Sequence, residues 1–183
     1  METVNTKFLK EHRMSNDSKL TLNLGCGDDT YGDIRLDLFP TRGANVVGDS
    51  QRLPFKNSVF AEVYERNVFE HLPNPAQHLD EVRRVMQVNG MLTLITDNAA
   101  CLKYYVMGTH TGGYRKHAGK DRHFALFTEE HLRNFMDICG FRINELKLID
   151  TNYFTRFFDR LLRVFAPSLS YPRILVRGVK VEG

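Results

Sequence analysis

Hydrophobic residues in this chain fall into short runs closed by glycine, aspartate or asparagine, with longer periodic stretches between them. Thr21–Leu24, Ile34–Leu38 and Ala44–Val47 have strand length, and the third ends at Gly48-Asp49. Val59–Glu65 alternates apolar and polar positions, and Met91–Thr96 is an apolar run of the kind a central parallel strand shows. Between them, Leu79, Val82, Val85 and Met86 recur at helical spacing, which predicts a helix over Pro75–Val88. Pro75 suits its first turn and Asn89-Gly90 its end. A second helix is predicted over Asn98–Met107. A third starts at the Thr128 cap, carries Glu129 and Glu130 in its first turn, and stops at Cys139-Gly140. Phe141–Ile149 reads as a strand, Thr155–Phe165 as an amphipathic helix, Pro167 and Pro172 as brackets of a turn, and Arg173–Val181 as the last strand. Strands alternating with helices predict an α/β fold. The expected architecture is a Rossmann-like, doubly wound, mostly parallel seven-stranded sheet, with an antiparallel strand near the C-terminus, at one edge.

The chemistry starts at Leu22-Asn23-Leu24-Gly25-Cys26-Gly27, a strand running into a glycine pair, with Asp37 closing the next strand. Ligands of open α/β sheets sit at the carboxyl ends of strands, glycine lets backbone approach them closely, and a carboxylate can grip a ribose diol. A nucleoside-bearing cofactor is therefore expected. The dinucleotide pattern G-x-G-x-x-G fits poorly, because Thr30 stands at its third glycine and Asp37 follows Gly25 by only twelve residues. Asp28–Asp33 is also too short for a helical crossover, so the first crossover helix is shortened or missing. No G-K-[ST] follows the turn, which excludes a P-loop.

Leu22–Gly27 resembles motif I of the class I S-adenosylmethionine-dependent methyltransferases. Four further segments, in order, resemble that family: Gly48-Asp49-Ser50-Gln51-Arg52-Leu53-Pro54-Phe55, Asn67-Val68-Phe69-Glu70-His71-Leu72, Asn89-Gly90-Met91-Leu92, and Phe127-Thr128-Glu129-Glu130-His131-Leu132 through Cys139-Gly140-Phe141. The trimmed first crossover is similar to that of a small subgroup of type 11-like methyltransferases. The resemblance implies S-adenosylmethionine as cofactor, bound by Leu24, Gly25, Cys26, Gly27, Asp37, Leu38, Asp49, Ser50, Leu53 and Asn67. Asp37 would take the ribose hydroxyls and Asp49 the adenine amino group, with Leu38 and Leu53 enclosing the base. The family pattern is broken at Asn23, Ala61 and Asn89, where an acid, Asp and Pro are common.

Methyl transfer needs an aligned nucleophile and, for a hydroxyl or amine, a base. His71 and His123 are the candidate catalytic residues; Glu70 is a further candidate base, and Tyr104, Tyr105 and Tyr114 are candidates to shape an acceptor pocket. The spacing of His110, His117 and His123, without an accompanying cysteine, does not match a zinc site, so no metal is expected. Residues 1–18 read as an N-terminal extension, 19–183 as a single methyltransferase domain, and 103–123 as a lid or loop over the acceptor. The net charge is only +3, too small to imply nucleic acid by itself, although basic residues gather in the C-terminal half. Three cysteines without a CxxC pair fit a reducing, cytoplasmic setting, and no apolar run has membrane-spanning length.

The acceptor implied is a small molecule or saccharide, including a cell-envelope or lipid-linked saccharide, methylated on oxygen or nitrogen. Residues 155–165, with apolar and basic faces, are the candidate contact for such a lipid or for a membrane surface. Two other classes stay open: a nucleic-acid methyltransferase, against which the absence of D-P-P-Y and N-P-P-Y motifs counts, and a non-catalytic domain that binds cofactor or a partner.

Overall fold

Leu22, Leu24, Ile34, Leu36, Val63, Leu92 and Leu94 alternate along their strands into one buried layer, and that layer is the core around which the chain is wound. The computed structural model describes residues 19–106, 123–150 and 159–182. Its seven strands are β1 (Thr21–Leu24), β2 (Ile34–Asp37), β3 (Val46–Val47), β4 (Phe60–Arg66), β5 (Met86–Asp97), β6 (Phe141–Ile149) and β7 (Arg173–Lys180). They form one sheet in the order β3-β2-β1-β4-β5-β7-β6. The first five strands are mutually parallel. β7 runs antiparallel to both β5 and β6 and lies between them, so the edge is β6 rather than the antiparallel strand that the sequence pattern placed there. The expected N-terminal extension lies outside the described residues.

β1 and β2 are joined without a helix, as the spacing of Gly25 and Asp37 predicts. The connection instead folds back along β1. Asp33 receives the Thr21 amide at 2.9 Å, and the Asn23 side-chain amide donates to the Tyr31 carbonyl at 3.1 Å.

Helix α1 (Pro75–Val85) buries His78, Leu79, Val82 and Val85 against the core and is capped by Asn74, whose side chain accepts the Gln77 amide. It stops three residues short of the predicted end. Met86 pairs with Phe60, and the register then jumps so that Met91 faces Glu62, leaving the Asn89-Gly90 turn inside β5. The apolar Met86 continues the helical spacing, but its burial comes from the sheet.

The helix predicted over 98–107 is also shorter: within the described residues, α2 spans Leu102–Val106. Asn98 accepts the Ala100 amide with its own side chain and donates to the Ser168 and Tyr171 carbonyls at 2.8 Å each, which holds 98–101 out of helical conformation. Helix α3 (Glu129–Ile138) begins at Thr128 as predicted, in a reciprocal cap with His131. α4 (Asp159–Phe165) is the described part of the predicted 155–165 helix, and α5 (Pro167–Ser170) is a single turn between the two prolines. Among the described residues no helix is long and apolar enough to cross a membrane.

Candidate active site

Three parallel strands end side by side at β1, β2 and β3, and a cavity of about 570 Å³ opens there. Such a volume lies in the ordinary range for a small-molecule site. Gly25, Asp37 and Asp49, one from the end of each strand, line it together. Gly25 has a left-handed backbone (φ +60°), and a Cβ built on it would come within 2.3 Å of Val68 Cγ2. The turn thus lies flush against Val68, and only a residue without a side chain fits.

Asp37 is fixed from two sides: Oδ2 accepts the Gly27 amide at 2.9 Å and Oδ1 the Phe39 amide at 3.0 Å. Asp49 accepts the Gln51 amide through Oδ1 at 2.9 Å. In both cases local backbone sets the direction of the carboxylate while it remains on the cavity wall.

Asn67 and His71 close the cavity from the β4 side. Asn67 takes a left-handed backbone (φ +56°), which asparagine tolerates better than most residues, and its amide reaches the Ile95 carbonyl at 2.8 Å. A short 3-10 turn, Phe69–His71, then turns Glu70 inward and His71 outward. The His71 ring stands perpendicular to that of His123, with centroids 4.6 Å apart. His123 Nδ1 lies 3.9 Å from Asp97 Oδ2. The two histidines meet because the Glu70 carbonyl accepts the Phe124 amide at 2.7 Å, which binds the segment after residue 122 to the turn. Phe124 itself lines the cavity.

Residues 35–94, from β2 into β5, match the methyltransferase domain family. That match covers about a third of the chain and agrees with the resemblance of its sequence segments to the class I S-adenosylmethionine-dependent methyltransferases. No curated protein matches the sequence. Several solved structures share the fold of this chain. A chain of the Haloferax volcanii complex between the Trm112 methyltransferase activator and a methyltransferase superposes with a TM-score of 0.64 at 18% identity, over 97% of this chain and 89% of that one. An S-adenosylmethionine-dependent methyltransferase from Mesorhizobium loti gives 0.63 at 16% identity, over 97% and 98%. Geranyl diphosphate C-methyltransferase from Streptomyces coelicolor, in complex with Mg2+, geranyl diphosphate and S-adenosylhomocysteine, gives 0.61 at 13% identity, over 97% and 77%. At these identities the likeness is one of fold.

The residues present fit S-adenosylmethionine: a glycine turn that a Cβ would block and two oriented carboxylates share one cavity. Of the residues expected at the cofactor, Gly25, Asp37, Leu38, Asp49, Ser50 and Asn67 line that cavity. Leu24 and Cys26 are buried beneath the turn, and burial raises the Cys26 thiol above its ordinary range. Gly27 acts through its amide on Asp37.

Leu53 is in the core and is not among the residues that line the cavity. The cause is a clamp that sequence reading missed. Glu81 on α1 accepts the Leu53 amide at 2.7 Å, and Arg84 donates to the Leu53 and Phe55 carbonyls at 3.0 and 2.8 Å. Helix periodicity did mark these two positions as off the apolar face; nothing local shows what they bind.

On the β4 side of the cavity, Glu70 is fully buried and accepts the Thr96 hydroxyl at 2.7 Å, so it is not exposed as a base. Burial pushes its carboxyl above the usual carboxylate range, with the Asp97 charge adding to the effect. Tyr104 is buried and its hydroxyl is raised far above the ordinary phenol range by burial and then by Asp97, so it packs instead of shaping a pocket. Tyr105 donates to the Ala99 carbonyl at 3.0 Å. Asp97 was not singled out in the sequence because it reads as the end of an apolar strand. His110, His117, Tyr114 and most of the 103–123 loop lie outside the described residues.

Proposed function

We propose that this chain transfers a methyl group from S-adenosylmethionine to an oxygen or nitrogen of a small-molecule or saccharide acceptor. The observation that carries this reading is one cavity with Gly25, Asp37 and Asp49 on one side and His71 on the other. When bound, S-adenosylmethionine supplies a methyl already activated on a sulfonium. Asp37, held by the Gly27 and Phe39 amides, keeps lone pairs for a ribose diol. Asp49 offers its carboxylate to the adenine amino group, and Leu38 covers the base. The Gly25 turn admits the amino-acid portion against bare backbone, and Ser50 and Asn67 add polar contacts on the same wall.

His71 faces the space left for the acceptor and is the group placed to take its proton. His123, edge-on to His71 and near Asp97, orients that ring. On α4, Leu161, Val164 and Phe165 are exposed within the basic sequence that runs from residue 151 onward. This favours a lipid-linked saccharide within the acceptor class, approached from an anionic lipid surface.

Incubating the protein with S-adenosylmethionine and separate pools of saccharides, lipid-linked saccharides, small molecules and nucleic acids, and measuring S-adenosylhomocysteine released, tests the proposal. Release with the saccharide or small-molecule pools is expected. Release with nucleic acid alone would transfer the chain to that acceptor class. Silence with every pool, alongside intact cofactor binding, would mark a non-catalytic binding domain.

A further inference from the structure

The 3-10 turn that sets His71 on the cavity wall also brings Glu70 to the same place from the buried side. Ligand atoms of Glu70, His71 and His123 all lie within 4.8 Å of one another. Glu70 is fully buried. One of its carboxylate oxygens takes the Thr96 hydroxyl, and the other, Oε1, has no hydrogen-bond partner among the described residues. Leaving such an oxygen unmet inside a protein costs about 1–3 kcal/mol, and a bound ion is one of the few arrangements that repays it.

We propose that Glu70, His71 and His123 form a divalent transition-metal site at the acceptor end of the cavity. Two imidazoles and one carboxylate are a donor set for Zn2+ or Fe2+; Mg2+ and Ca2+ prefer oxygen ligands alone. Bonds of about 2.0–2.2 Å place ligand atoms about 3–3.5 Å apart, so modest side-chain rotation closes the cluster. Asp97, 3.9 Å from His123 Nδ1, supplies the carboxylate that commonly steadies a metal-bound imidazole. Three protein ligands leave coordination positions open, as in catalytic metal sites. His71 borders the cavity, so those positions face the place where an acceptor oxygen would lie.

The spacing of histidines along the chain could not show this. His71 and His123 are distant in sequence, and the Glu70 carbonyl, which accepts the Phe124 amide, brings their segments together. Metal binding itself is independent of the methyl-transfer reading. Its use rests on that reading: with an ion bound, the cation would polarise the acceptor oxygen in place of an imidazole base.

The test titrates chelator-treated, full-length protein with Zn2+ alone by calorimetry, and with Co2+ alone by visible absorption. One saturable site is expected, with Co2+ bands of low-symmetry nitrogen and oxygen coordination. His71→Ala and His123→Ala should each weaken binding at least about tenfold. His131→Ala, on the exposed cap of α3, should leave it unchanged. These histidine variants avoid the buried Glu70, whose loss would confuse folding with binding. Absence of a Zn2+ site, or equal affinity in His123→Ala, would overturn the proposal. Titrating S-adenosylhomocysteine into the same samples separates this outcome from failure of the cofactor reading.

Discussion

At Gly25 two independent constraints meet: a left-handed backbone and a neighbour, Val68, that a methyl group would strike. Gly25→Ala therefore carries about 1–2 kcal/mol of backbone strain plus an overpacking cost of about 1–3 kcal/mol. Urea unfolding should show that loss, and cofactor affinity should fall with it. Gly27 has the same backbone sign but open space around it, so Gly27→Ala should bear only the strain. His71 is proposed for a different part of the chemistry. If it takes the acceptor's proton, His71→Ala lowers turnover about 10²–10⁴-fold while S-adenosylhomocysteine affinity stays the same. An equal loss of affinity in the calorimeter would place His71 at the cofactor.

Among elements, the segment 50–57 depends on α1. Its core residues Leu53 and Phe55 are held by Glu81 and Arg84, which also pair with each other at 2.7 Å. The Arg84 guanidinium, together with the Leu53 amide, holds the Glu81 carboxyl below the usual glutamate range. A lowered folded value means that the contribution to stability is fully present above the ordinary glutamate pKa of about 4.3 and is lost as pH falls through the lowered one. Glu81→Gln should therefore flatten the acid limb of a stability-versus-pH curve and weaken cofactor binding through a loosened 50–57 segment. An unchanged acid limb would show that the clamp is not coupled to folding.

Sequence periodicity placed α1 correctly except at its end, where Met86 obeys the helical spacing yet is buried by β4. Periodicity reports which residues are buried and is silent on what buries them. Leu53, which the family resemblance sets beside the base, is buried in the core, a fact that its segment alone does not reveal.

Over the whole molecule, what was legible follows the order of the chain. The parallel half of the sheet, β1 through β5, arranges consecutive segments so that Gly25, Asp37, Asp49 and Asn67 come to one end by a rule that topology fixes in advance. The C-terminal half obeys no such local rule. β7 enters between β5 and β6 because its Ile174, Val176 and Val179 are apolar enough for an interior strand, a preference that an antiparallel edge strand would share. The acceptor end depends on a contact between Glu70 and Phe124 that no spacing reveals, and it was legible only as separate histidines.

The central claim is that the cavity at the ends of β1, β2 and β3 is the S-adenosylmethionine site. Calorimetric titration of the purified chain with S-adenosylhomocysteine tests it most directly, with thermal unfolding of each variant recorded alongside, since Asp37 also caps two amides. Saturable binding at one site is predicted, reduced at least about tenfold in both Asp37→Ala and Asp49→Ala when the variants remain folded. No binding to the wild-type chain, or equal binding by the two folded variants, would contradict it.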